Sequence, residues 1–152
     1  MFMVSLKKYY DGRLSEIKTY ANGVLDGQQI SFRDDGSKCS TDIISNNELI
    51  QRVNFNGNGK ICEIKNYRDG KYHGLYERST GFFFTAGKVR CNFIHGLLDG
   101  DCHLLNSKDE IIATTYFEQG VSCGSYSKKI RGVYQQINAK EIDIKKLFEL
   151  DC

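Results

Sequence analysis

An internal repeat dominates this sequence. Residues 12–27, GRLSEIKTYANGVLDG, recur without a gap as residues 59–74, GKICEIKNYRDGKYHG. The two copies share Gly, Glu, Ile, Lys, Tyr and two further Gly at matched positions. Self-similarity at a fixed spacing is typical of repeat proteins, in which each unit packs mainly against its neighbours. We therefore expect an array of similar units.

A shorter signature lies within this repeat: an aromatic residue, then Gly at the third and seventh positions after it. The first glycines of successive copies are 47, 26 and 24 residues apart, so the long interval predicts one further, degenerate unit within residues 39–56. We interpret the repeated aromatics as residues that stack on neighbouring units, with direct ligand contact as the alternative. The signature residues are Tyr20, Gly23 and Gly27; Tyr67, Gly70 and Gly74; Phe93, Gly96 and Gly100; Phe117, Gly120 and Gly124.

Turn-forming clusters recur every eleven to thirteen residues and separate short β-favouring runs. Asp-Gly and Asn-Gly between such runs indicate hairpins, because Gly accepts a positive φ and Asn or Asp tolerates it. The pattern predicts a mainly all-β fold: an elongated antiparallel β-meander of repeated hairpins, about 24 residues per repeat, in an open twisted sheet. We assign residues 1–126 to this domain.

Strand alternation predicts which side chains share a face. Glu16, Lys18 and Tyr20 point one way and Ile17 the other. The face that carries Lys18 becomes more apolar in later copies, where it reads Val89, Cys91 and Phe93, then Ala113, Thr115 and Phe117.

The pattern changes after Ser127, where glycines become rare. Residues 138–150 have helical periodicity, and Asn138 can cap a helix with Glu141 three residues later. Repeat arrays need covered ends. We therefore predict that residues 127–152 form a short C-terminal α-helical cap, with a membrane-binding or partner-binding helix as the alternative.

The composition excludes several classes of protein. A net charge of +2 is too small for a nucleic-acid footprint, and no apolar run approaches the roughly 20 residues of a membrane helix. The first residues do not resemble a signal peptide, so we expect a soluble cytoplasmic protein. The six cysteines form no C-x-x-C pair; we expect buried free thiols, with disulfides or zinc ligation as alternatives.

Candidate catalytic residues are few. His95 and His73 occupy positions held by turn-forming residues in other repeats, so we predict that both are turn residues rather than catalytic or metal-binding groups. His103 has no such counterpart and carries the one enzymatic hypothesis left. The glycine-rich turns lack the lysine and the strand-to-helix setting of a phosphate loop. We expect no catalytic residues, no metal and no cofactor.

The repeated Tyr-x-x-Gly-x-x-x-Gly signature resembles the MORN family (membrane occupation and recognition nexus), and is most similar to the variant form in bacterial YwqK-type antitoxins. The resemblance covers about residues 9–126. It implies an elongated, twisted antiparallel sheet and a binding role.

The resemblance and the missing catalytic residues favour a non-catalytic module that binds a protein. Its partner is expected to be a toxin that it neutralises as an immunity protein or antitoxin; the alternative is a lipid or membrane-surface scaffold. Residues that differ between copies are the best candidates for specificity, and open-face lysines are chemically suited to recognition. The candidate partner-binding residues are Arg68, Tyr72, His73, Arg90, His95, Lys18 and Lys65.

Overall fold

The computed structural model of the chain describes residues 2–79, 87–123, 125–130 and 133–138. These residues form strands and turns, with no helix among them. The prediction of an all-β antiparallel fold is therefore confirmed. The chain divides into two compact units, residues 1–71 (unit 1) and 72–152 (unit 2).

Unit 1 is an open antiparallel meander. Its strands pair in the order β1-β2-β4-β5-β6-β7, and the two-residue β3 extends the hairpin of β2. The strands are β1 (Met3–Tyr10), β2 (Arg13–Ala21), β3 (Val24–Leu25), β4 (Gly27–Phe32), β5 (Lys38–Ser45), β6 (Glu48–Phe55) and β7 (Ile61–Arg68).

Unit 2 has the same construction. Its pairing order is β8-β9-β11-β12-β14-β15, with β10 on β9 and β13 on β12. The strands are β8 (Lys71–Ser79), β9 (Lys88–Ile94), β10 (Leu97–Leu98), β11 (Gly100–Leu105), β12 (Ile111–Glu118), β13 (Val121–Ser122), β14 (Ser125–Ile130) and β15 (Val133–Asn138).

The first glycine of each signature lies in a tight hairpin turn. Asn22 and Gly23 have φ of 51° and 81°, so both central residues are left-handed, as a type I′ turn requires. The degenerate repeat makes the same turn with Asn46 at 48° and Asn47 at 67°. Asparagine tolerates this conformation, which explains how a unit without the glycine pair keeps its hairpin. The same pattern of positive φ recurs at Asp69–Gly70, His95–Gly96 and Gln119–Gly120.

In the three signatures whose second glycine the structure describes, that glycine is not a turn residue. Gly27, Gly74 and Gly100 lie within or at the start of strands, with φ of 95°, 89° and 88°. A Cβ added at Gly100 would meet no atom within 4 Å. The positive φ, rather than space, therefore favours glycine there.

Two hairpin tips are hydrogen-bonded to the carboxylate of the residue before the second glycine of an earlier hairpin. In unit 1 the Asp26 carboxylate accepts a bond from the Asn46 N–H at 3.1 Å. In unit 2 the Asp99 carboxylate does the same for Gln119 at 3.2 Å. These side-chain bonds join neighbouring hairpins and give the spacing of the signature a physical cause.

Histidines make the equivalent link between β8 and the next turn. The His73 Nδ1 accepts a bond from the His95 N–H at 3.5 Å, and the two rings lie 5.4 Å apart. His95 has φ of 49°, which confirms it as a turn residue. His73 lies inside β8, so the prediction that it is a turn residue is wrong: its strand continues up to and through Gly74.

The opposite ends of the hairpins use longer turns. Asn56 and Asn106 each accept two backbone bonds with their side-chain oxygens and so close their own loops. Arg33 occupies the corresponding position in the preceding loop. Its guanidinium donates to the backbone carbonyls of Phe55 and Lys38, which ties one turn to the next.

The buried apolar side chains among the described residues all lie in unit 2. The predicted drier face is confirmed, because alternate residues of β9 and β12 are buried. Phe93 also packs on Tyr72 and Tyr76 of β8, with ring centroids 5.3 and 5.7 Å away. The buried apolar residues are Tyr76, Val89, Cys91, Phe93, Cys102, Leu105, Ala113 and Phe117.

The region after Ser127 continues the meander. The predicted helical segment 127–152 is wrong for its first part, since β14 and β15 form another antiparallel hairpin there. The sequence of β15, VYQQIN, is rich in β-favouring residues. The rest of the predicted helix, residues 139–150, lies outside the described residues.

Two cysteines are joined rather than free. Cys91 and Cys102 form a disulfide, so the prediction of free thiols is wrong for this pair. The register of β9 and β11 sets the two residues opposite each other, with Cα atoms 4.2 Å apart. Both are buried, as predicted. Cys39 and Cys123 carry free thiols, but Cys123 is exposed, so the predicted burial is wrong for this residue.

The link between hairpins predicts a difference between two substitutions at Asp26. Asp26→Ala removes the acceptor for the Asn46 N–H and should lower the free energy of unfolding by about 1 kcal/mol. Asp26→Asn keeps an acceptor oxygen and should cost clearly less. Urea unfolding followed by circular dichroism measures both; equal stability of the alanine and asparagine variants would contradict the link.

Candidate functional site

A continuous row of aliphatic side chains crosses one face of unit 1. Strand register pairs each member with the next across β2, β4, β5, β6 and β7, and paired residues share a face. Thr41 is the buried centre of the row, while the four aliphatic residues are half-buried. We call this row the aliphatic stripe: Ile17, Ile30, Thr41, Val53 and Ile64.

A second set of apolar groups borders the aliphatic stripe. Phe32 and Phe55 follow Ile30 and Val53 by two residues and so lie on the same face. Phe55 is paired with Ile61, which is 51% exposed, and the Lys38 ammonium lies 5.4 Å from its ring centroid. Unit 1 thus presents aliphatic and aromatic surface on one side of its sheet.

The opposite face of unit 1, which we call the charged face, is polar. Its side chains bond across the strands: Ser31 to Ser40 at 2.8 Å, and Asn54 to the Glu63 carboxylate at 2.8 Å. The guanidinium of Arg52 binds both carboxylate oxygens of Asp42. Strand register places Gln29 in the same row as Asp42 and Arg52. This face is a network of satisfied polar groups.

The predicted binding residues Lys18 and Lys65 both lie on the charged face. Lys18 pairs with Glu16 at 3.3 Å, and Lys65 pairs with the buried Glu63 at 2.9 Å. A partner that recruited Lys65 would have to compete with this pair, because breaking it removes a cation from a buried carboxylate.

The other predicted residues fall on different structural features. Arg68 is exposed at the end of β7 in unit 1. In unit 2, Tyr72 is half-buried against Phe93, and the histidines His73 and His95 contact each other at the hairpin link. The structure therefore brings Tyr72, His73 and His95 together, in positions where each has a structural contact.

Arg90 lies in a polar row on the side of unit 2 opposite the buried core. Its guanidinium pairs with Glu77 at 2.8 Å, and Lys88 bridges Glu77 at 3.3 Å and Asp109 at 2.7 Å. The hydrogen bond to Asp109 is the main cause of a raised pKa for Lys88, and the pKa of Asp109 is lowered by the same bond. These charges stabilise one another within unit 2.

His103 belongs to the same row. It is paired with Arg90 across the strands, and its Nδ1 lies 2.9 Å from the Thr114 hydroxyl. The hydrogen-bond partner of this imidazole within the described part of the chain is therefore the neutral hydroxyl of Thr114.

One further pKa shift lies at a turn. The Ser37 hydroxyl and backbone N–H hydrogen-bond to the carboxylate of Asp35, and these bonds hold its pKa below the ordinary value. Asp35 is fully exposed, and its role is to close the turn after β4.

Sequence reasoning missed the aliphatic stripe as a site. It placed Ile17 opposite the charged residues, but it could not join Ile17 to Ile30, Val53 and Ile64 without the strand register. The usable signal was a single aliphatic residue between polar or charged neighbours, as in Glu-Ile-Lys, Gln-Ile-Ser and Arg-Val-Asn.

Comparisons with known proteins provide no relative: no family model, no curated protein and no solved structure matches this chain. Within the described ranges, no three His, Cys, Asp or Glu side chains are grouped so that they could hold a metal ion. No helix in that part of the chain is long and apolar enough to cross a membrane.

The aliphatic stripe predicts an unusual effect at Thr41. Its side-chain oxygen is buried and has no hydrogen-bond partner among the described residues. Thr41→Val removes that hydroxyl at nearly constant volume and should raise the free energy of unfolding by about 1 kcal/mol. Thr41→Ser, which keeps the hydroxyl and removes the methyl group, should instead destabilise. Denaturant titration would contradict this account if valine lowered stability.

Proposed function

We propose that this chain is a non-catalytic repeat module that binds a protein partner through the aliphatic stripe of unit 1. The observation that carries the proposal is the distribution of burial in unit 1. The buried side chains among the described residues of unit 1 are polar, namely Gln29, Thr41 and Glu63, whereas the aliphatic side chains of the stripe remain partly exposed. Contiguous apolar surface that remains partly exposed is typical of interaction sites.

The dimensions of the surface suit a protein. Five strands spaced about 4.8 Å apart make the stripe about 19 Å long, and the Phe32 and Phe55 side chains widen it. Aromatic and aliphatic side chains are typical of the apolar centre of an interface, with polar groups around it. Such a patch fits the centre of an interface that buries roughly 1,200–2,000 Å² in total.

The class of partner follows from the repeat signature. Its resemblance to MORN-variant repeats of YwqK-type antitoxins supports a bacterial toxin as the partner and a role as an immunity protein or antitoxin. The mechanism we propose is occlusion: the preformed sheet covers the active surface of the toxin. Strand register holds the stripe in place before binding, so little ordering entropy is lost on association.

The test is co-expression with the product of the neighbouring gene, scored by pull-down and by rescue of growth. The stripe variant is Ile30→Thr with Val53→Thr, which keeps the β-branched shape but makes the centre of the stripe polar. The matched control is Ser31→Thr with Ser40→Thr, which changes the other face of adjacent strands. We expect rescue by the parent and the control, and binding at least about tenfold weaker for the stripe variant.

Two outcomes would contradict the proposal. Absence of any complex and of rescue would remove the antitoxin role, and full binding by a folded stripe variant would remove the stripe as the interface. Co-sedimentation with vesicles of anionic lipid at low salt separately tests the membrane surface as a partner. Binding there that the stripe variant abolished would indicate a membrane surface as the partner in place of a protein.

A further inference from the structure

Strand β1 is an exposed edge strand with apolar side chains on both faces. It pairs with β2 and with no other strand in the described part of the chain. All eight of its residues are exposed, including Met3 at 57%, Leu6 at 56% and Tyr9 at 58%. A long edge strand of this type is a template for pairing with another strand.

The hydrogen bonds at the two ends of β1 show which backbone groups face outward. The carbonyl of Phe2 accepts a hydrogen bond from the Asn22 N–H, and the carbonyl of Lys8 accepts one from the Ser15 hydroxyl. The backbone N–H and C=O groups of even-numbered residues therefore point towards β2. Backbone groups alternate in direction along an antiparallel strand. The N–H and C=O groups of the odd-numbered residues therefore face away from β2: Met3, Ser5, Lys7 and Tyr9.

The outward-facing residues are compatible with a two-fold axis. Identical antiparallel strands related by such an axis pair residues symmetrically about one central residue. Centring the axis on Leu6 pairs Met3 with Tyr9′ and Ser5 with Lys7′, where the prime marks the second copy. All four outward residues then exchange hydrogen bonds. The register shift opposite Tyr9 places the extra residue, Ser15, on β2, so β1 itself stays regular.

Side chains fit the same register. Leu6 faces Leu6′ at a pair without backbone bonds, where side chains are closest. Met3 faces the Tyr9′ ring, and aliphatic–aromatic pairs of this kind stabilise sheets. Lys7 faces Ser5′, so no lysine lies directly opposite a lysine. An axis centred on Lys7 would instead bring two ammonium groups together.

We propose that β1 is a homodimer interface, in which two copies of this chain join their unit 1 sheets edge to edge through antiparallel β1 strands centred on Leu6. The occupant of the edge is a second copy because the strand complements itself in backbone polarity, side-chain shape and charge. The interface uses the edge of unit 1 and leaves the aliphatic stripe on its face open, so it does not depend on the function proposed above.

Light scattering with size-exclusion chromatography, in reducing buffer at about 100 µM chain, tests the proposal. The parent should have roughly twice the 17.3 kDa chain mass. Ser5→Pro removes an outward N–H, leaves the bonds to β2 in place, and should raise the dimer dissociation constant at least about tenfold. Ser5→Ala is the matched control: it loses the hydroxyl contact to Thr19 but keeps the N–H, and should remain dimeric.

Cysteine cross-linking provides a second readout, which is needed if far-UV circular dichroism shows that the Ser5→Pro variant does not fold. Leu6→Cys should form a disulfide-linked dimer on mild oxidation, beyond the background of the oxidised parent. Lys8→Cys should not, because Lys8 faces Val4′ in this register. A monomeric parent, a folded dimeric Ser5→Pro variant, or equal cross-linking of the two cysteine variants would overturn the proposal.

Discussion

Pairing between neighbouring strands is the interaction on which the rest of this structure depends. In unit 1, the described side chains that are fully buried are polar, so cohesion comes from ladder hydrogen bonds, cross-strand side-chain pairs and the links between hairpins. Every one of these contacts requires the correct register. The positive-φ turns set that register, because two-residue turns leave the strands no freedom to slip.

The internal pairing of charged residues bears on which residues of unit 1 are available for binding. The charged residues of unit 1 are occupied in holding its sheet together, as the pairs of Asp42 with Arg52 and of Glu63 with Lys65 show. The aliphatic side chains on the other face are half-buried and take no part in these ion pairs. The same repeat position that carries Ile17 and Ile64 carries Arg90 and Thr114 in unit 2, where the opposite face is buried. In unit 1 the repeated aliphatic residues lie on the face of Ile17, whereas in unit 2 the buried apolar residues lie on the other face of the repeat.

Much of the fold could be predicted from sequence because its determinants are local. Asn22-Gly23 and its counterparts predict hairpins from the conformational tolerance of two residues, and alternation in β9 and β12 predicts the buried face. The disulfide between Cys91 and Cys102 depends on the pairing of β9 with β11, which no local signal contains. The strand positions of Gly27, Gly74 and Gly100 could not be predicted, because a positive φ inside a strand and one in a turn select the same amino acid. Strands β14 and β15 were missed because Gly132, the single glycine between them in the sequence, is not followed by the second glycine of the signature.

The candidate site was less accessible to sequence reasoning. Lys18 and Lys65 were chosen because charged residues on an open face suggest recognition, but their partners within the same strand became evident only with distances. Tyr72 and His73 were chosen because they differ between copies, and their differences turn out to change how the hairpins contact each other. The aliphatic stripe required five strands in register before it became a surface.

The links between hairpins also bear on how the chain folds. Asp26 reaches only 20 residues ahead to Asn46, and His73 only 22 residues ahead to His95. Contacts of such short sequence separation require little loop closure, which favours rapid folding for an all-β protein. Each hairpin can dock on the one before it as soon as its own turn has left the ribosome, so assembly can follow the order of synthesis.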